Sequence, residues 1–222
     1  MGIISLEKSN HLYWLARYSE RAFTTISCFM QTYDEMLDED MNAYKKICEL
    51  LSIPDVYGSK EVFDKNYLFD ENDPNSVISN LIRATDNSMV LRDMISSDAA
   101  SYVQLALDAM LEAKAKKDFC LLDLQSVIDN IYAFWGCVDD HVSQSASRNI
   151  LKFGRCIERI DLYIRLGYDR DAIFSAYQRM KYRLQRSGIE YSELDYNIFV
   201  GTLLKGEDLH EALWNLNKIY KD

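Results

Sequence analysis

Apolar residues recur at helical spacing over most of the chain, and one early segment carries charges inside this pattern. Between Leu12 and Met30 nearly every position is apolar, yet Arg17, Glu20 and Arg21 stand near the middle. At about 100° per residue, the large apolar side chains share one broad arc of a helix and the three charged residues fall on the opposite arc. Because aromatic residues flank the charges, we predict a helix that is covered on both sides.

The same arrangement of charges returns between Ile150 and Leu166. Each copy has a small residue before an Arg, a spacer of two residues, and then Glu-Arg; the second copy contains Arg155, Glu158 and Arg159. Residues three and four positions apart on a helix share a face. The repeat therefore predicts two long central helices whose charged arcs face each other, with an approximate internal symmetry.

The remaining periodic segments predict a chain that is almost entirely helical. Only 2 Pro and 8 Gly among 222 residues leave little material for the many tight turns of an all-β fold. We therefore expect an all-α fold, a single multi-helix bundle in one domain over residues 1–222. The predicted helices are Ser5 or Ser9 to Leu37, Asn42–Ser52, Lys60–Phe69, Val77–Ile95, Ala99–Lys116, Asp118–Val142, one from the end of the polar break Ser143–Ser147 to Tyr168, Asp171–Leu184, Glu190–Leu204 and Glu207–Tyr220.

Charge and cysteine content narrow the classes of function. The net charge is −10, whereas nucleic-acid binding requires a basic surface, and an anionic membrane surface would repel such a protein. Five Cys, an odd number without a C-x-x-C pair, favour reduced thiols in a core over a disulfide framework. No apolar run is long enough to cross a bilayer and no signal-peptide pattern is present, so we expect a cytoplasmic protein.

The two motif copies together supply two carboxylates and four guanidiniums, an excess of positive charge. Asp86, Asp93 or Asp161 could balance this excess, and so could an anionic ligand. One interpretation is a buried ion network that fixes the register of the helices. A second is a carboxylate or phosphate site, which planar Arg side chains suit. Acid–base catalysis by Glu20 or Glu158 is the least favoured, because a Glu held between Arg side chains is a poor general acid.

Other candidate chemistry is weak. Glu207-x-x-His210 has the spacing used in di-iron bundles, but those sites need a second copy and two further Glu, so we expect no metal and no cofactor. Cys137 lies near His141, although its apolar neighbours favour a core thiol over a reactive pair. The sequence contains no Gly-rich phosphate loop and no nucleophile-elbow motif.

Three segments, in the right order, resemble the bacterial alpha-E domain family, an all-helical domain named for its Glu-Arg motif. They are NHLYWLARYSERA (Asn10–Ala22), FDENDPNSVISNLIRATDNSMVLRDMIS (Phe69–Ser96) and LKFGRCIERIDLYIRL (Leu151–Leu166), and the likeness spans about residues 10–167. It places nine residues at family-motif positions, our candidates for a binding or structural cluster: Arg17, Glu20, Arg21, Asp86, Asn87, Arg92, Arg155, Glu158 and Arg159.

The central segment departs from the family pattern. Thr85 and Met89 stand where the family has Arg, and Asp86 stands where it has Glu. This departure weakens the case for a basic site on the central helix.

The resemblance also implies a setting for the protein. The family has no established activity, and its members are typically encoded beside, or fused to, ATP-grasp-like and transglutaminase-like proteins. It therefore implies a non-enzymatic accessory or partner domain in peptide or amide-bond chemistry. The alternatives are an enzyme whose Arg-rich pocket binds a carboxylate substrate, and a purely structural or oligomerising protein. No residue is identified as catalytic.

Overall fold

The computed structural model describes residues 4–38, 42–117, 119–206 and 209–221, and these ranges contain eleven helices. Beside the helices they form no strand, only an isolated antiparallel bridge between Tyr191 and Tyr220. The fold is all-α, as predicted. The helices are α1 (Leu6–Asp38), α2 (Ala43–Leu51), α3 (Lys60–Phe69), α4 (Val77–Val90), α5 (Arg92–Ile95), α6 (Ser97–Ala115), α7 (Leu122–His141), α8 (Ser145–Arg165), α9 (Arg170–Ser187), α10 (Glu193–Lys205) and α11 (Leu209–Leu216).

Helix boundaries follow the capping residues of the sequence. Ser76 accepts a hydrogen bond from the backbone of α4, and Ser96 does the same for α6. Gly188 and Gly206 end α9 and α10 with left-handed backbone, φ 71° and 73°, which glycine adopts without a Cβ clash.

Several predicted helices differ from the observed ones. The helix predicted over Val77–Ile95 is two helices, because at the fully buried Leu91 the backbone N–H bonds to Ser88, three residues back, and this tighter turn interrupts the helical ladder. The last helix ends at Leu216 rather than Tyr220 for a similar reason, since the amides of 218 and 219 also bond three residues back. The motif helix α8 begins inside the predicted polar break, at Ser145. The predicted starts at Asp118 and Glu207 lie outside the described residues.

The long first helix is covered on both arcs, as its pattern predicted. Leu12 and Leu15 are fully buried, and Arg17, Glu20 and Thr24 on the charged arc are 5%, 0% and 4% exposed. Within the described ranges, neither this 33-residue helix nor any other is long and apolar enough to cross a membrane.

The chain forms two compact units. The split unit consists of the residues up to Arg17 together with those from Gln144 onward, and the central unit is Tyr18–Ser143. The chain thus passes from one unit to the other within α1 and again just before α8. The division into two units does not test the prediction of one domain over residues 1–222, which stays a prediction.

In the split unit, α8 is the central element. It packs against α9 along its length and also contacts α11, which pairs with α10. Its apolar face is fully or almost fully buried, as at Ile150, Phe153, Ile157 and Ile160. The side chains of this face recur every three to four residues, which is the spacing that buries one stripe of a helix.

In the central unit, α6 packs against α7 and α4, and an aromatic cluster fills the space beside α3. The ring of Phe63 lies at the centre, with ring centroids of Tyr67, Tyr57 and Tyr44 at 4.9, 5.0 and 5.1 Å and that of Phe29 at 6.1 Å. These contacts gather α1, α2 and α3 around one fully buried side chain.

Candidate functional site

Small residues bring the two motif helices close together in the split unit. A Cβ added to Gly154 would lie 2.6 Å from the backbone oxygen of Tyr13 and 3.2 Å from the Cβ of Ala16. Ala16 and Gly154 are the small residues that precede Arg in the two motif copies. The small position of the motif therefore permits the close contact of α1 with α8. This contact brings Arg17, next to Ala16, to Glu158, one turn after Gly154.

Arg17 is the central group of this contact. Its Nε donates to Oε2 of Glu158 at 2.5 Å, its Nη1 donates to the Tyr13 hydroxyl at 3.2 Å, and its Nη2 donates to Oδ1 of Asn217 at 2.8 Å. The guanidinium carbon also lies 5.2 Å from the ring centroid of Trp14. Three nitrogens of one side chain are thus directed at three different partners from α1, α8 and the residue that follows α11.

The network continues from Asn217 to a second buried carboxylate. Nδ2 of Asn217 donates to Oδ2 of Asp161 at 2.6 Å, and the other oxygen of Asp161 accepts from Nε of Arg165 at 2.6 Å. Asp161 is 6% exposed and Glu158 is 1% exposed. Asn217 therefore joins Arg17 to Asp161 through its two amide atoms. Of the three aspartates considered as balancing charges, Asp161 lies in this network, and its direct ion pair is with Arg165, outside the motif.

Electrostatics keep Arg17 charged despite its burial. Burial alone would lower the pKa of the guanidinium, but the negative charge of Glu158, with smaller contributions from Tyr13 and Asp161, outweighs it and raises the pKa above its ordinary value. The buried side chain is therefore a permanent cation. The folded state tolerates this charge because surrounding oxygens accept hydrogen bonds from it.

The residues after α11 hold the start of α1. The ring of Tyr220 stacks on that of Tyr13 with centroids 4.1 Å apart, and its hydroxyl donates to Oδ1 of Asn10. Neither Asn217 nor Tyr220 was among the sequence candidates. A single Asn or Tyr after a helix carries no pattern, and no signal in the sequence pairs it with a residue about two hundred positions earlier.

The other candidates lie at several places in the two units. In the split unit, Arg155 and Arg159 are half-buried on α8. In the central unit, Glu20 is fully buried and Arg21 half-buried on α1. Asp86 on α4 and Arg92 on α5 are exposed. Asn87 on α4 is half-buried, and its Nδ2 donates to the backbone oxygen of Arg83 at 2.6 Å.

The structure also places the residues considered for metal binding and for a reactive thiol. Among the described residues no three His, Cys, Asp or Glu side chains gather as a metal site would require; Glu207 of the Glu-x-x-His pattern lies outside them. His141 Nδ1 is 3.5 Å from a carboxylate oxygen of Asp98. Burial raises the pKa of the Cys137 thiol, and the nearby Asp98 and Asp140 raise it further, so this thiol is less available as a thiolate.

Comparisons with known proteins give one match. A family model described as Alpha-E, a predicted alpha-helical domain with a conserved ER motif, matches residues 8–192. No curated protein and no solved structure matches the chain. Asn217 and Tyr220, which complete the surroundings of Arg17, lie beyond the matched residues.

Proposed function

The chain belongs to the Alpha-E family of helical domains, and on that premise we propose that it serves in the cytoplasm as a non-enzymatic accessory domain of an ATP-grasp-type peptide or amide ligase system. The partners in this proposal are an ATP-grasp-like ligase and a transglutaminase-like protein. The chain contributes a folded helical surface, and the buried motif pair holds that surface together.

One observation carries the non-enzymatic part of the proposal. Arg17, the first Arg of the motif, is 5% exposed and directs three nitrogens at Glu158, Tyr13 and Asn217 of its own chain. A guanidinium used in this way fixes the positions of α1, α8 and the residues after α11. It supports a structural use of the motif in the split unit.

A specific observation favours a second candidate, an enzyme or anion-binding protein with an Arg-rich pocket for carboxylates. Arg155 and Arg159 are half-buried on α8 of the split unit, whereas Arg17 and Glu158 of the same unit are buried. Half-buried guanidiniums lie partly at the surface, and planar Arg side chains bind carboxylates and phosphates with two parallel hydrogen bonds.

Affinity capture tests the accessory role. The tagged chain is purified from cells of its source, with an unrelated helical protein as bait control, and bound proteins are identified by mass spectrometry. We expect an ATP-grasp-type protein enriched over the control, and no ATP hydrolysis by the chain alone. Absence of such a protein from the enriched set contradicts the proposal. ATP turnover or amide formation by the isolated chain would contradict the accessory role and favour the enzyme alternative instead.

The substitution Arg155→Lys separates structural from anion-binding use of the half-buried arginines. Succinate and inorganic phosphate serve as probes in thermal unfolding. A structural role lowers the melting temperature of the chain without probe, because Lys cannot reproduce the planar fork of Arg. An anion site leaves that temperature nearly unchanged and removes the stabilisation that the probe produces in the original chain.

A further inference from the structure

The acidic charge of the protein is concentrated in one of its units. Residues 18–143 contain 10 Lys and Arg against 23 Asp and Glu, a net charge of −13, while the rest of the chain contains 15 against 12, a net charge of +3. A local cluster of basic side chains in the central unit is therefore opposite in sign to the net charge of that unit.

Such an excess occurs around one cavity of the central unit. The cavity has a volume of about 730 Å³ and lies between α3, the end of α6 and the residues that follow it. Five of the ten basic residues of the unit line it, together with three carboxylates: Lys60, Lys65, Lys114, Lys116 and Lys117, with Glu61, Asp64 and Asp70. Pockets of this size accommodate small-molecule ligands.

The lysines differ in how far their charge is already used. Lys60 donates to Oδ2 of Asp64 at 2.6 Å and lies 4.1 Å from the ring centroid of Tyr33. Lys114 pairs with Glu71 at 2.6 Å, an exposed contact that solvent screens. Lys116 pairs with Asp123. The charges of these three lysines are therefore already used in ion pairs within the unit.

Two lysines of the cavity are not accounted for in this way. Lys65 and Lys117 are exposed and make no ion pair with any residue that the structure describes. They come from α3 and from the segment after α6, which meet only in the folded unit. Two cations that have no ion-pair partner among the described residues stand in the wall of one cavity, within a unit of net charge −13. They favour an anion as the occupant of that cavity.

The side chains of the lining also indicate the kind of anion. All the basic side chains that line the cavity in the described part of the chain are lysines, whose ammonium groups act as point charges and suit a phosphate with its several equivalent oxygens. Phe119 is half-buried at the cavity, and its ring packs edge-on against that of Phe69 with centroids 5.4 Å apart. An aromatic ring of a ligand could pack against Phe119.

We propose that this cavity binds a phosphate-bearing small molecule with an apolar ring, its phosphate held by Lys65 and Lys117 and its ring placed against Phe119. The proposed contacts come from α3 and from the segment that follows α6, all within the central unit. The site is therefore independent of the motif network in the split unit and of the ligase partnership. Since the surrounding unit is acidic, binding depends on these close contacts rather than on long-range attraction.

A titration of the full chain with phenyl phosphate tests the proposal. The amide resonances of the ¹⁵N-labelled protein are followed at pH 7 and an ionic strength near 0.15 M, with inorganic phosphate and benzoate as comparison probes. We expect saturable shifts confined to residues 60–70 and 111–119. Phenyl phosphate should bind more tightly than inorganic phosphate, because only it reaches Phe119, and more tightly than benzoate, because benzoate carries a single charge on a planar carboxylate.

Two double variants supply the matched comparison. K65Q/K117Q removes the two lysines proposed to hold the phosphate. K45Q/K46Q removes two exposed lysines of α2, elsewhere in the same unit, with the same change in charge. The first should weaken binding at least about tenfold, as expected when two charge-assisted contacts are lost, and the second less than about twofold. Absence of saturation, equal weakening by both variants, or benzoate binding as tightly as phenyl phosphate would each overturn the assignment.

Discussion

Removing Arg17 should destabilise the split unit more than any comparable surface change. Arg17→Met deletes three hydrogen bonds and withdraws the charged partner of Glu158, a carboxylate that is 1% exposed. Breaking a buried ion pair by removing one partner costs about 3–5 kcal/mol. The matched control is Arg179→Met, since Arg179 is exposed on α9 of the same unit and its loss should change stability by no more than about 0.5 kcal/mol.

The stability loss caused by Arg17→Lys should lie between those of Arg17→Met and Arg179→Met. Lysine preserves the charge beside Glu158 but cannot also reach Tyr13 and Asn217 in the directions of the guanidinium nitrogens. Two hydrogen bonds are then lost, each with a net value of about 0.5–1.5 kcal/mol, so the expected cost is about 1–3 kcal/mol. The order of stability is therefore the original chain, then the lysine variant, then the methionine variant.

Urea unfolding at pH 7, followed by circular dichroism, measures these free energies, and hydrogen exchange of peptides from α8 and α11 shows whether the loss falls in the split unit. The double variant R17M/E158L should recover much of the loss, because neither member of the Arg17–Glu158 pair is then left buried without the other. A cost below about 1 kcal/mol for Arg17→Met, or a double variant that simply adds the two single effects, would refute the structural role of the pair.

Three further outcomes follow from other positions. Gly154→Ala should destabilise the protein by about 1–3 kcal/mol by forcing a Cβ against a backbone oxygen, whereas Gly201→Ala, with open space around it, should be neutral or stabilising by up to about 1 kcal/mol in urea unfolding. At pH 8 a thiol reagent should label exposed Cys120 quickly and the buried Cys48 only after denaturation. Burial and the nearby Asp55 raise the pKa of Cys48 to about 11, so the unfolded thiol ionises first and stability should decrease between about pH 9 and pH 11, less steeply in a Cys48→Ala variant.

The helical fold was predictable because its signals are local. Capping serines, left-handed glycines and apolar stripes each act within about one helical turn, and they place most helices within a few residues of the observed bounds. The break at Leu91 escaped prediction, since an apolar residue continues the helical pattern there and only its packing as a fully buried side chain distinguishes it.

The candidate site was predictable only in part. The repeated motif indicated that Arg17 and Glu158 could meet, because charges inside two apolar helices must find partners. Asn217 gave no such indication, since it lies exposed after a short helix and contributes through one amide group. The lysines of the cavity were equally hidden, because Lys65 and Lys117 resemble solvated surface charges until the fold brings α3 beside the end of α6.

The split unit is built from two separate stretches of the sequence, and this has a consequence for synthesis on the ribosome. Residues 4–17 emerge before the central unit, but the other residues of their own unit begin at position 144. The central unit can complete its own contacts earlier, because all its residues precede those of α8. The first turns of α1 therefore wait, with apolar side chains uncovered, until translation supplies α8 and finally Asn217, and this interval is when the nascent chain is most exposed to chaperones and to aggregation.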